Sequence, residues 1–406
     1  MERKEGQGLS PRVAVVGAGI AGLTAAWRLA GHGLDVTLLE ATAATGGKLR
    51  ASPLCGVAVD EGAEAFLARR PEALDLARQV GLGAELVNPS TSAAAVWTRG
   101  ALRPLPAGQL MGVPGDLRAL AASGLVSTRG LLRVAAERLL PPRRLAATED
   151  VAVGEYLTDR LGREVVERLV EPLLGGVYAG HADQLSLAAA APQLAALARS
   201  DGRLLAGAAR AAARLRARDC PGAAGPLSGL DYASMAIITL AFERAAFPAG
   251  LTGSGFLVPP AEGRLVKAAT FASLKWGWLA QALPDATVVR LSVGRHGEEA
   301  ALQRDDSELV ALAVAELVAA AGVTARPVAQ RVTRWGGALP QYTPGHLERV
   351  AGIRRAVAAL PGLAVCGAAY DGVGIPACVA SAHAAADAVL AYLTDPAGRL
   401  GPPPPR

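Results

Sequence analysis

Val13-Ala14-Val15-Val16-Gly17-Ala18-Gly19-Ile20-Ala21-Gly22 is an apolar, β-branched run that ends in a glycine turn, and Leu23 to Ala30 continue from it with helical spacing. A second apolar run, Asp35 to Leu39, closes on Glu40, 18 positions beyond Gly22. Strand, turn, helix and strand in this order make the βαβ unit that holds a dinucleotide. Gly17 permits the tight turn and Gly19 lets the backbone approach a pyrophosphate. Gly22 lets the helix sit close to the strand, so that its N-terminal N–H groups face the phosphates. A carboxylate at Glu40 accepts hydrogen bonds from a ribose 2′-hydroxyl and repels a 2′-phosphate, which points to FAD or NAD and away from NADP.

The rest of the chain is long enough for more than this unit. Its 406 residues suit two or three domains, and a core that is 51% hydrophobic but only 4% aromatic must be built from Ala, Leu and Val. The 41 Lys and Arg against 36 Asp and Glu leave a net charge of +5. Nearly all the cations are Arg, scattered among Ala and Leu instead of gathered in runs, which argues against a nucleic-acid partner and suits an anionic small substrate. Cys55, Cys220, Cys366 and Cys378 lie far apart, with no C-x-x-C and no His pair near them, so neither a metal site nor a disulfide framework is expected. Arg12 to Ala30 has the apolarity of a signal-peptide core, yet it is rich in glycine and runs straight into the Glu40 strand, so it reads as folded and the protein as cytoplasmic. No uninterrupted apolar run reaches about 18 residues, the length that would predict a membrane-spanning helix.

Along the chain, Arg70 to Gly81 has helical spacing with a glycine stop, and Pro104 to Arg218 is a helical region broken at Pro114, Pro141-Pro142, Pro172 and Gly175-Gly176. Met235 to Phe242, Gly255 to Pro259, Val266 to Ser273 and Thr287 to Val293 are short apolar runs parted by Gly and Pro, the pattern of an antiparallel sheet. Ser307 to Ala321 reads as helix and Val328 to Trp335 as strand. Leu363 to Cys366 reads as a last strand entering a second glycine turn, Gly367 to Pro376, and a long Ala-rich helix. A glycine turn before a helix at each end of the chain suggests one ligand site closed by both termini, the second helix aiming its positive end at the ligand. The fold class expected is α/β. An FAD-binding Rossmann-like domain is split between 11–88 and 331–395, a helical insertion belonging to the substrate domain spans 89–218, and the antiparallel sheet of the substrate domain spans 228–330; 1–10 and 396–406 are expected to be disordered tails.

Glu40 followed by Gly46-Gly47-Lys48 resembles the signature of the amine-oxidase-like FAD proteins. The likeness narrows to the oxygen-dependent porphyrinogen oxidases of haem synthesis, whose blocks occur here in order: Asp60 to Leu67, Glu171 to Gly180, Gly253 to Pro259, Thr270-Phe271 with Lys275-Trp276, Arg334-Trp335 with Leu339 to Tyr342 and Gly345-His346, and Tyr370 to Cys378. This resemblance implies FAD as cofactor and oxidation of coproporphyrinogen III, with protoporphyrinogen IX as the alternative substrate and O2 as the final acceptor. An amine oxidase or carotenoid desaturase is a more distant reading, because those families lack the Tyr370 to Cys378 block. Cofactor contacts fall on Gly17, Gly19, Ile20, Ala21, Gly22, Glu40, Gly46, Gly47, Lys48, Gly62, Ala63, Gly367, Tyr370, Gly374, Ile375 and Pro376. The chemistry centres on the flavin, so no titratable side chain is expected to be catalytic and positioning is the protein's task. The substrate's carboxylates suit Arg, for which Arg69 and Arg70 are the candidates, and Phe271 is a candidate to pack on the macrocycle. His346 is read as structural. A homodimer and peripheral membrane contact stay open.

One departure stands out. The resemblance implies that the chain returns from the helical region to the FAD domain through a Gly-Gly-Leu helix, a strand along the adenosine half of FAD, a small β-meander and a further strand. Between Arg203 and Asp231 only LLAGAARAAARLRARDCPGAAGPLSGL is present, and nothing in it alternates as a strand does. The chain lacks several tens of residues there. Either a shortened FAD domain closes in another way, or the chain is an inactive deletion variant, which would purify colourless. Losing a strand exposes the edges of its neighbours in a parallel sheet.

Overall fold

The computed structural model describes residues 11–68, 70–200, 204, 230–360 and 362–394. The expectations for the two tails and for nearly all of 203–231 lie outside the described residues.

Strand β1 (Arg12–Val16) pairs in parallel with β2 (Asp35–Leu39), from Arg12↔Asp35 to Val16↔Leu39, and α1 (Ile20–Ala30) connects them. The helix buries Gly22, Thr24, Ala25 and Leu29. Among the described residues the sheet has these two strands alone. Parallel strands are ordinarily flanked and covered on both faces; here Val16 is 82% exposed and Leu39 50%. The expected strand Leu363 to Cys366 does not form, and 363–366 run without regular structure. A strand needs a neighbour to take its N–H and C=O groups, and among the described residues no strand pairs with 363–366.

A hairpin of β3 (Ala51–Leu54) and β4 (Val57–Asp60) follows, then α2 (Pro71–Gln79). A seven-stranded sheet forms the centre of the substrate part, in the order β11-β7-β10-β9-β8-β5-β6. Its members are β5 (Ala95–Thr98), β6 (Ala101–Pro104), β7 (Tyr232–Glu243), β8 (Gly255–Leu257), β9 (Val266–Phe271), β10 (Ala286–Val293) and β11 (Ala329–Pro340). Three expectations are corrected here. The sheet is antiparallel except where β5 runs parallel to β8. Its edge pair β5–β6 lies inside the segment expected to be a helical insertion. Residues 331–340, expected in the FAD-binding part, belong to β11 and pair with β7.

Both faces of this sheet are covered, which is why β7 reads as an almost unbroken apolar run. Ala236, Ile238, Leu240 and Phe242 pack with Leu309, Ala313 and Leu317. Ala241 on the opposite face packs with Leu54 and Val59 of the hairpin. Arg331 of β11 fastens that hairpin further, donating to Ser52 O at 2.9 Å and Val59 O at 3.0 Å.

The helical part is built from α3 (Leu117–Ser123), α4 (Thr128–Ala135), α5 (Val153–Leu161), α6 (Glu171–Tyr178) and α7 (Pro192–Ser200). Asp116 and Ser127 cap the first two by accepting from Arg118 N and Gly130 N, at 2.8 and 3.0 Å. Its core holds Tyr156, Leu157, Leu161, Leu169, Leu174 and Leu194. After α8 (Asp306–Ala321) and α9 (His346–Ala358), the last helix is α10 (Ile375–Thr394). By length and composition alone α10 is long and apolar enough to cross a membrane. Its small residues Ala377, Ser381, Ala382 and Ala386 are buried, and Asp387 pairs with Arg28 of α1 at 2.7 Å, so this apolar helix is a packing element for α1.

Candidate functional site

The first turn of the chain forms a cradle of backbone. Gly17 adopts φ +94° and donates its N–H to Leu39 O at 2.7 Å, which locks the turn to β2. A Cβ on Gly22 would stand 1.8 Å from Gly17 O, so only glycine lets α1 start this close to the strand. A Cβ on Gly19 would meet nothing within 4 Å. That open space, in front of the first turn of α1 at Ile20 and Ala21, is where a pyrophosphate fits.

Glu40 binds the turn from the other side. One carboxylate oxygen accepts from Ala18 N at 2.7 Å, the other from Thr42 N at 2.9 Å and Thr42 Oγ1 at 2.8 Å. The Ala18 N–H, followed by the Thr42 donors, holds this carboxyl below the usual range and keeps it ionised at neutral pH. Gly46 donates to Ala18 O at 2.7 Å, and a Cβ on Gly47 would lie 3.1 Å from Gly19 Cα. Lys48 O accepts from Ala63 N at 3.0 Å, and a Cβ on Gly62 would lie 2.2 Å from that oxygen. Three glycine-bearing segments, 17–22, 46–48 and 62–63, therefore stack on one another by backbone contact. Burial pushes the Lys48 ammonium pKa down.

The C-terminal turn meets the same place. A Cβ on Gly367, at φ +119°, would sit 3.9 Å from the Ala21 Cβ in the first turn of α1. Gly367 N donates to Ser381 Oγ at 3.1 Å, and Tyr342 OH donates to Ala368 O. Arg354 pairs with Asp371 at 2.6 Å, and Cys378 N donates to Gly374 O at 3.0 Å as α10 begins. Ile375 and Pro376 open that helix, while Tyr370 is half-buried against Val350 and Ile353. The residues present thus fit a dinucleotide: a cradle with room above Gly19, an ionised acceptor at Glu40, and a C-terminal glycine brought against the first turn of α1.

Trp335 forms the border between this cradle and the seven-stranded sheet. Its Nε1 donates to Glu61 O at 3.0 Å, its ring lies 3.2 Å from where a Gly62 Cβ would be, and Arg50 sits 4.9 Å over its centroid. A cleft of about 530 Å³ opens on Trp335, lined also by Ser234, Met235, Leu302, Arg304 and Arg334. Sequence reading gave Trp335 a place in a motif and no role. It missed Arg290 altogether, a residue from the middle of β10 that reaches Gly62 O at 2.6 Å.

The substrate candidates fare differently. Arg69 lies outside the described residues. Arg70 is engaged by Glu72 at 2.6 Å just before α2. Phe271 is corrected: it is 1% exposed and packs edge-on against Phe247 and Phe256, on the sheet face that α8 covers. Its strand is buried on both faces, so alternation could not tell a core aromatic from a cleft aromatic. His346 is 1% exposed and stacked on Tyr342 at 4.1 Å, and burial lowers its pKa to about 4, so it is a neutral, structural ring.

The model of the flavin containing amine oxidoreductase family matches residues 20–219 and 208–390. The chain is 33% identical to the coproporphyrinogen III oxidase of Mycobacterium leprae over 452 aligned residues, covering 93% of this chain and 98% of that one. It is 28% identical to the coproporphyrinogen III oxidase of Bacillus subtilis, covering 94% and 98%. Its fold is similar to that of a protein from Exiguobacterium sp. 255-15 described as a protoporphyrinogen oxidase, with TM-score 0.81, 31% identity and coverage of 96% and 100%. The alignment with the mycobacterial relative is longer than the 406 residues of this chain, and the two family matches meet at 208–219, inside the segment that reads as shortened. Over most of its length, then, the chain carries the family's blocks in order, on the family's fold: it belongs to the flavin containing amine oxidoreductases.

Proposed function

We propose that this protein is an oxygen-dependent coproporphyrinogen III oxidase that holds FAD between its two glycine turns. The observation that carries the proposal is the approach of Gly367 to Ala21, which joins the far ends of the chain around the open space above Gly19. The near full-length likeness to two bacterial proteins named for this reaction selects the substrate. The Exiguobacterium relative favours protoporphyrinogen IX as the second reading.

When bound, FAD supplies the hydride acceptor, and O2 takes the electrons onward as hydrogen peroxide. The chain's own residues do the rest. Glu40, ionised and fixed by Ala18 and Thr42, has lone pairs left for the ribose hydroxyls. The first N–H groups of α1 face the pyrophosphate across the glycines. The positive end of α10 at Ile375 would favour negative charge on a flavin held next to it. Holding the substrate carbon close to the acceptor, away from water, supplies most of the rate advantage in such chemistry. Arg69 and Arg70 remain the candidates for the propionates, and the cytoplasm the expected place of work.

Aerobic incubation with each porphyrinogen, followed by porphyrin fluorescence, tests this. Coproporphyrin should appear with the wild type and vanish with Gly19→Val, whose side chain enters the pyrophosphate space. If both substrates stay dark with FAD-supplemented wild type, the proposal is wrong.

A further inference from the structure

Glu64 has no place in the cofactor cradle or among the substrate candidates. It lies one residue beyond Ala63, and its side chain is 14% exposed. Both its oxygens are taken by cations from the substrate part of the chain: Lys275 Nζ reaches Oε1 at 2.5 Å, and Arg290 Nη1 reaches Oε2. Arg290 sits in the centre of the seven-stranded sheet, between Thr239 of β7 and Thr270 of β9, and its second guanidinium nitrogen donates to Gly62 O. Lys275 follows the end of β9, and its carbonyl accepts from Ser90 N at 2.7 Å. Burial pushes the Glu64 pKa up, but the Arg290 and Lys275 charges outweigh it and bring it below the ordinary value, so the carboxylate stays ionised. Removing it leaves two cations, 8% and 21% exposed, without their hydrogen-bonded partner, and Asp60 as the carboxylate that still acts on Arg290.

We propose that Glu64 is a positioning residue for the flavin. With Lys275 and Arg290 it fixes the Gly62-Ala63 backbone against the cofactor and couples that contact to the rigid middle of the substrate sheet. The inference rests on the reading above, in which Gly62 and Ala63 touch FAD. A clamp of this kind acts on cofactor geometry and not on substrate affinity, which separates it from a residue that merely stabilises the fold.

The test is FAD titration of purified wild type, Glu64→Gln, Lys275→Met and the double variant. Each has its bound-flavin absorption spectrum recorded, and kcat and KM measured with coproporphyrinogen III. Glu64→Gln should weaken FAD binding about tenfold, the scale of one charge-assisted hydrogen bond. It should also shift the bound-flavin spectrum and lower kcat, with KM within about twofold of wild type. Lys275→Met should move each quantity in the same direction by less, and the double variant should be no worse than Glu64→Gln, because both break one network. Glu64→Asp should restore part of the spectrum. A Glu64→Gln protein with wild-type FAD affinity and spectrum overturns the inference even if its melting temperature falls. Should Glu64→Gln fail to fold, Lys275→Met decides by the same readouts. A wild type that takes up no FAD overturns the proposed function and this inference with it, whereas an active wild type beside unchanged variants overturns this inference alone.

Discussion

A Cβ at Gly22 would meet the Gly17 carbonyl, a backbone atom that cannot swing aside, whereas one at Gly19 enters empty space. Gly22→Ala should therefore cost about 1–3 kcal/mol of folding stability, as overpacking does, while Gly19→Ala should cost less than about 1 kcal/mol and still block FAD. Denaturant unfolding beside flavin titration separates the two. Lys267 offers a pH test. Its side chain is 3% exposed, its Nζ has no hydrogen-bond partner among the described residues, and burial, with the Arg295 charge adding to it, brings its pKa down to about 7. Because the folded pKa lies below the unfolded one, the unfolded chain binds the extra proton between about pH 7 and 10.5, and Lys267 weakens the fold most below pH 7. Lys267→Met should stabilise the protein at pH 6 by about 1–3 kcal/mol, the scale of a buried unsatisfied polar group, and the gain should shrink as pH rises toward 10. A gain independent of pH would place the ammonium in solvent.

At the scale of elements, the helical part contains a buried ion pair, Arg160 with Glu137 at 2.6 Å, their side chains 4% and 1% exposed. Glu137 also accepts from Leu204 N at 2.9 Å. Glu137→Ala strands a buried guanidinium and should cost about 3–5 kcal/mol, far more than loss of the exposed Arg78–Asp75 pair, worth at most about 1 kcal/mol; thermal melts of the two variants give the contrast. The β1–β2 pair should be the weak element, since Val16 and Leu39 are open to solvent, and its amides should exchange faster than those of β7. Local elements were legible where the signal is local. The Gly17–Gly22 turn, α1, β7, β10 and α8 came within a few residues of the sequence reading because period and glycine placement specify them. Strands β5 and β6 were not, being four residues each, a short hairpin that joins the sheet only through the pairing of β5 with the distant β8. The Leu363 to Cys366 strand was misread because its apolar run is genuine while no partner strand lies beside it among the described residues. The Glu64 clamp was invisible, as its members lie 211 and 226 positions apart.

At the scale of the whole molecule, two ends of one chain converge. Helix α10 lies on α1, Arg28 meets Asp387, and the C-terminal glycine turn faces the N-terminal one. The nucleotide sheet has two described strands, yet the Gly17–Gly22 turn stays locked to β2 and to Glu40. If FAD binds as proposed, the Gly17–Gly22 turn and Glu40 must carry the binding without the further strand implied along the adenosine. Equilibrium titration of the purified protein with FAD, followed by quenching of flavin fluorescence, is the direct test. Saturable binding at one FAD per chain, abolished in Gly19→Val, is the expected result; a wild-type protein that leaves the fluorescence unchanged at every concentration contradicts the joint clasp.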